Sequence, residues 1–158
     1  FVWRSRPFPP NRDVALEHWA PVFGTNAQFY SLQVDATDEE RAALARYPNV
    51  HDIGAKLSDF AETAAVIAQM DLVISADTAA LHVAGALGKP VWGLVNFTPD
   101  WRWQLARRDS DWYPSLTLFR QPQRGDWDTV MAQVSADLAA AVQTESAAAS
   151  GQQAQGVV

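Results

Sequence analysis

The chain has 158 residues, 48% hydrophobic and 19% charged: enough for one domain with its own core, and without the roughly 18-residue apolar run a membrane span needs. Twelve Lys and Arg against eighteen Asp and Glu give a net charge of −6, which disfavours nucleic acid and anionic membranes as partners. The lack of cysteine removes disulfides, thiolate metal sites and Cys nucleophiles together, and is compatible with a cytoplasmic home. The chain opens on Phe1-Val2-Trp3, with neither an initiator Met nor a signal peptide, and reads as a fragment of something longer.

Short apolar runs alternate with segments of helical period, the pattern of a parallel α/β sheet. Strands are predicted at about 1–3, 28–34, 50–53, 71–75, 90–95 and 115–120. Helices are predicted between them at about 13–23, 38–47, 59–70 and 77–87, with a last one at about 126–143. The segment 38–47 starts with an acidic turn and continues through Ala42-Ala43-Leu44-Ala45, which suits both helix propensity and the macrodipole. The next helix starts at Asp59 and is expected to bury Phe60, Ala64, Ile67 and Ala68. Asp71 to Ser75 reads as a doubly covered central strand, and the helix after it ends at Gly88 before Pro90 opens the next strand. In the last helix Asp126 is the cap, and Trp127, Val130, Met131, Val134, Leu138 and Val142 form a core stripe. From Thr144 on, Ala, Ser, Gln and Gly dominate, so a Rossmann-like domain over 1–143 is expected to end in a disordered tail over 144–158.

The charge is unevenly spread. Residues 1–13 hold Arg4, Arg6 and Arg12 against Asp13, whereas residues 14–97 hold ten acids against four bases. The first loop, stiffened by Pro7-Phe8-Pro9-Pro10, is therefore a cationic island, and Arg matches phosphate oxygens with a rigid fork. With a strand order 3-2-1-4-5-6, the connections from strands 1 and 4 leave in opposite directions, and ligands bind in the crevice at such a switch point. Arg4 to Arg12 would form one wall and Ser75 to His82 the other.

On the second wall a strand end runs into a helix N-terminus, whose free N–H groups and positive dipole end suit an anion. Thr78 adds a hydroxyl, and His82, five residues beyond Asp77, is within reach of the same end. The same residues also suit an ordinary N-cap and a core histidine. The first wall lacks G-x-G-x-x-G, and the chain carries no Walker A motif, no HExxH and no G-x-S-x-G elbow. Side-chain charge plus one helix terminus fits a diphosphate better than a glycine cradle does. No metal or other cofactor is called for. Trp101, Trp103, Trp112 and Trp127, with Tyr113, crowd one stretch, either to pin a long loop to the core or to stack sugars or bases. Thr98 and Asp100, just after the fifth strand, are further candidates for hydroxyl contacts.

Residues 71–95, DLVISADTAALHVAGALGKPVWGLV, resemble the D-x-V-[IV]-[ST]-x-D-[ST]-[GA]-x-x-H-x-A-x-A-L-G-K-P signature of glycosyltransferase family 9, the heptosyltransferase-like group with a GT-B fold. The continuation FTPDWRWQLARRDSDWYPSLTLFRQPQRGDW is similar to the version of that domain at the carboxyl end of bacterial tetratricopeptide-repeat proteins. The resemblance covers roughly residues 1–143. It implies the donor-binding half of an inverting, metal-independent glycosyltransferase, with a nucleotide-sugar donor linked through ADP or UDP. The acceptor would be a glycan, a lipid-linked glycan or a protein, and the location cytoplasmic or peripheral to the inner membrane. An amino-terminal GT-B domain, and with it the catalytic base, is expected outside this chain, which alone would bind a donor without turnover.

Carried over position by position, the resemblance gives Asp77 the donor-sugar hydroxyls and gives Thr78, the N–H of Ala79 and His82 the diphosphate. Arg4, Ser5 and Arg12 stand in the phosphate-binding loop after the first strand, Gln33 at the nucleoside, and Leu57 and Ser58 along the base. The family's common Gly after Asp-Thr is Ala79 here, which is tolerable where φ is negative. A non-catalytic interaction module beside tetratricopeptide repeats is the alternative, and a nucleotide-sugar epimerase lacks the pair of carboxylates its proton transfers would need.

Overall fold

In the computed structural model, residues 1–5 and 12–154 are described, with side chains as far as residue 148. Arg6 and the Pro7 to Pro10 run of the expected cationic loop lie outside them. Five parallel strands form: β1 (Phe29–Ser31), β2 (Val50–Asp52), β3 (Val73–Ala76), β4 (Val91–Val95) and β5 (Leu116–Arg120). β1 pairs with β2, and β3, β4 and β5 form a second sheet in that order.

The predicted first strand is reduced to a single bridge, Val2 to Ser75, so the described residues form five strands where six were expected. Its hydrogen bonds nevertheless join the two sheets. The Phe1 amino group donates to the Tyr30 carbonyl, and Leu32 N–H donates back to Phe1. Val2 faces the other way: its N–H donates to Ile74, and its carbonyl accepts from Ala76. The segments therefore lie in the order β2, β1, 1–3, β3, β4, β5, the 3-2-1-4-5-6 arrangement of a doubly wound sheet.

Side-chain alternation along these strands fills two cores, one per face. Phe1, Trp3, Ile74, Leu94 and Phe119 point into a core with Trp19 and Phe23. Their neighbours Val2, Val73, Val95 and Leu118 point into the other, with Ile67 and Leu81. The first core is closed by α1 (Ala20–Phe23) and α5 (Trp127–Ala154), and it also takes Leu44 of α2 (Asp38–Leu44). The second is closed by α3 (Phe60–Ala68) and α4 (Ala79–Ala86).

Three helix expectations are corrected. The helix predicted at 13–23 is a 3-10 turn (Leu16–Trp19) followed by α1, because Pro21 lacks the N–H that a continuous ladder would need and fits only a first turn. In α3 the buried pair is Thr63 and Ile67, while Phe60 is 66% exposed and Ala68 is also on the surface. The last helix, expected at 126–143, is α5 over Trp127–Ala154. Its core stripe is as expected, Trp127, Val130, Met131, Val134 and Leu138 buried and Val142 packed against them. Beyond it, Thr144 to Ala148 are exposed, and the Ala residues favour continuation of the helix. Residues 155–158 lie outside the description.

A candidate diphosphate crevice at the switch point

A crevice of about 510 Å³ opens where segment 1–3 and β3 lie side by side. From the sequence-derived candidates it gathers Arg4, Ser5, Arg12, Gln33, Asp77, Thr78, Ala79 and His82. The order of the sheet explains why: the chain leaves segment 1–3 toward one face and β3 toward the other, so the two connections part over this point.

Its floor is the start of α4. Thr78 is the N-cap residue with extended backbone, yet its side chain caps nothing; its hydroxyl lies 3.0 Å from the Ser75 hydroxyl. No acidic residue occupies the first turn. The first N–H groups of α4 thus receive no side-chain cap, at the positive end of the helix dipole.

Asp77 is 4% exposed and is approached from both sides. Arg12 Nη1 donates to the Asp77 carbonyl at 3.0 Å and stands 3.7 Å from its carboxylate. His82 Nε2 lies 3.9 Å from the other carboxylate oxygen. On its far side the imidazole stacks on Trp103, with ring centroids 5.6 Å apart, and its Nδ1 is 3.0 Å from the Tyr113 hydroxyl. Burial holds the His82 pKa below the ordinary histidine value, against the pull of Asp77 and with the help of the nearby Arg102 cation. The imidazole is therefore neutral at pH 7.

Arg4 is held differently. Its Nε donates to Glu40 Oε1, one Nη to the Asp35 carboxylate, and the other to the Asp35 carbonyl and Glu40 Oε2. The hydrogen bonds and charge of these acids raise its pKa, so it is a fixed cation already matched by two carboxylates. Gln33 is equally engaged: its carbonyl accepts from Arg4 N–H, and its amide donates to Asp35. That hydrogen bond and the Arg4 charge keep Asp35 ionised, its pKa lowered. Ser5 is tied to Asp13 through both N–H and hydroxyl.

Four candidates are not brought to the crevice. Leu57 is buried in the core, Ser58 is on the surface bonded to Glu62, and Thr98 lines a separate cavity with Asn96, Gln121 and Arg124. Asp100 caps the 3-10 turn Trp101–Trp103 and pairs with Arg102 at 3.3 Å.

Sequence reasoning missed Arg102, Phe60 and Asp35 on the crevice wall. The signal for Arg102 is its place between Trp101 and Trp103: one turn sends Trp103 inward under His82 and leaves Arg102 at the rim. Phe60 reads as a core residue because its spacing to Ala64 and Ile67 is helical.

The family model of glycosyltransferase family 9 (heptosyltransferase) matches residues 17–125. Protein FlbA of Caulobacter vibrioides is 32% identical over 143 residues, an alignment that takes in 85% of this chain and 22% of FlbA. The chain thus spans under a quarter of that relative's length. No solved structure matches it.

Proposed function

The chain belongs to glycosyltransferase family 9 (heptosyltransferase), and on that premise we propose that its crevice binds the nucleoside-diphosphate end of a nucleotide-sugar donor linked through ADP or UDP. The observation that carries this is the α4 N-terminus without a side-chain cap, opening into a crevice between Arg12 and His82. Backbone N–H groups from Ala79 onward, the Thr78 hydroxyl and the helix dipole would receive the phosphates. Ala79 starts a right-handed helix, so the methyl that replaces the family's usual glycine causes no backbone strain.

Asp77 accepts sugar hydroxyls in this reading, with the Arg12 guanidinium bonded to its carbonyl and close to its carboxylate. Gln33 and Asp35 stand at the nucleoside, and the exposed faces of Phe60 and Val34 offer an apolar surface for the base. A neutral His82 donates a hydrogen bond to phosphate without adding a charge, or accepts one from an acceptor hydroxyl.

Transfer is proposed to proceed with inversion and without a metal, by in-line attack of an acceptor hydroxyl on the anomeric carbon. The helix terminus, Arg12 and Thr78 would stabilise the departing diphosphate. The catalytic base and the acceptor site are proposed to reside in an amino-terminal domain of the parent protein, which carries tetratricopeptide repeats in this reading.

Calorimetry tests the reading directly. ADP or UDP should bind the folded chain, and Thr78→Val should weaken that binding about five- to tenfold by removing one donor to phosphate. Asp77→Asn should cost affinity for the sugar nucleotide but little for the free diphosphate. A folded chain that binds neither nucleotide overturns the assignment. A second reading, a non-catalytic interaction module, draws on Trp101 and Trp112, which meet edge to face while 73% and 53% exposed. Partner capture that survives Thr78→Val and Asp77→Asn would favour it.

A further inference from the structure

Arg102 brings a second guanidinium to this crevice, and its hydrogen bonding is incomplete. Its Nε is buried with no partner among the described residues. Among the described residues its one ion pair joins Nη2 to Asp100 at 3.3 Å. An unmade hydrogen bond from a charged donor is costly, and Arg102 bears that cost on the wall of a polar crevice.

The fold also determines where this cation stands. Arg12 follows segment 1–3 and Arg102 follows β4, while α4 follows β3, which lies between the two in the sheet. The two arginines therefore flank the α4 N-terminus. Arg4, the other guanidinium on the wall, is matched by Asp35 and Glu40. The turn that carries Arg102 is rigid: Asp100 accepts from Arg102 N–H at 3.1 Å, and Trp103 is buried against His82.

We propose that Arg102 is a ligand of the donor's diphosphate, turning its fork from Asp100 onto phosphate oxygens and closing the crevice from the β4 side. This rests on the diphosphate reading of the crevice and adds the residue that holds the group from the far side. Asp100 acts as a placeholder anion that the phosphate displaces, so it opposes binding in proportion to its own pairing with Arg102.

Isothermal titration of the 158-residue chain with ADP, UDP, pyrophosphate and the two nucleosides tests it. Arg102→Gln should weaken ADP or UDP, and pyrophosphate, about tenfold, and leave adenosine and uridine within about twofold. Asp100→Asn keeps the oxygen that caps the turn and removes the competing charge, so it should tighten diphosphate binding about threefold. That gain is opposite in sign to any damage to the turn. If the wild type binds a nucleoside diphosphate and Arg102→Gln binds it equally, the Arg102 assignment falls and the crevice reading stands. An Asp100→Asn variant that binds no tighter also overturns the assignment. If the wild type binds neither nucleotide nor pyrophosphate, both fall together.

Discussion

At the scale of single residues, two acids show how differently side chains of one type are used. Glu40 accepts from Trp3 Nε1 and Arg4 on one side and from Thr37 N–H on the other, while Thr37 accepts from Glu40 N–H in a capping box. That T-x-x-E spacing is visible in the sequence as a helix start; that Glu40 would also neutralise Arg4 is not, because the partners are 36 residues apart. Asp77 and His82, five residues apart, are legible in the sequence as candidates for one crevice, but the Arg12 partner of Asp77 comes from a chain position 65 residues away that only the folded sheet brings in. His82 carries a pH consequence. Burial depresses its folded pKa, so the unfolded chain takes the proton more readily. The stability this gives is fully present above the unfolded histidine value of about 6.5 and is lost as pH falls through the lower folded value. Urea midpoints between about pH 8 and 5 should therefore drop more steeply for the wild type than for His82→Gln. Parallel curves for the two proteins would show that His82 is not the group responsible.

At the scale of elements, α4 is read from both of its ends. Its start follows from the strand-to-helix switch at Ser75 to Thr78, and its end from Gly88, whose φ is +68°. Its outward packing is not legible in the sequence, because it depends on a loop that arrives from far along the chain. The Tyr113 ring lies against Gly85 so closely that a Cβ there would stand 2.4 Å from the ring. The same ring sends its hydroxyl to His82. Gly85 is thus the contact that lets the loop carrying the Trp101–Trp103 turn lie against the helix of the proposed phosphate site. Gly85→Ala gains helix propensity of up to about 1 kcal/mol yet must displace a partly buried aromatic ring, at about 1–3 kcal/mol or more. The balance is a net destabilisation with loss of the Tyr113 to His82 contact, measurable as a lower urea midpoint and a changed His82 ring signal by NMR. A Gly85→Ala variant of equal or greater stability would mean that Tyr113 moves aside freely.

At the scale of the whole molecule, the net charge of −6 averages a sheet whose carboxyl edge gathers three arginines onto one crevice. The fold class is legible because a doubly covered parallel sheet writes near-continuous apolar runs into its strands, whereas the strand order comes from the pairing in the folded sheet. The first strand is overestimated because a run such as Phe1-Val2-Trp3 is apolar enough for a strand but pairs through only one residue on each side. The length of the last helix is underestimated for the complementary reason. Periodicity reports where a helix is packed, and in α5 the apolar stripe against the core ends with Leu138 and Val142, ahead of the exposed Thr144 to Ala148. Composition explains the rest, since an Ala-rich continuation of an existing helix needs no new nucleus. Ending the chain at Gln143 should therefore reduce its helical circular dichroism but change unfolding free energy by no more than about 0.5 kcal/mol. Ending it at Asp137 removes Leu138 and Val142 as well, and should cost about 2–5 kcal/mol from the Leu138 packing. A large loss from the first truncation would mean that residues 144–158 stabilise the domain through contacts of their own.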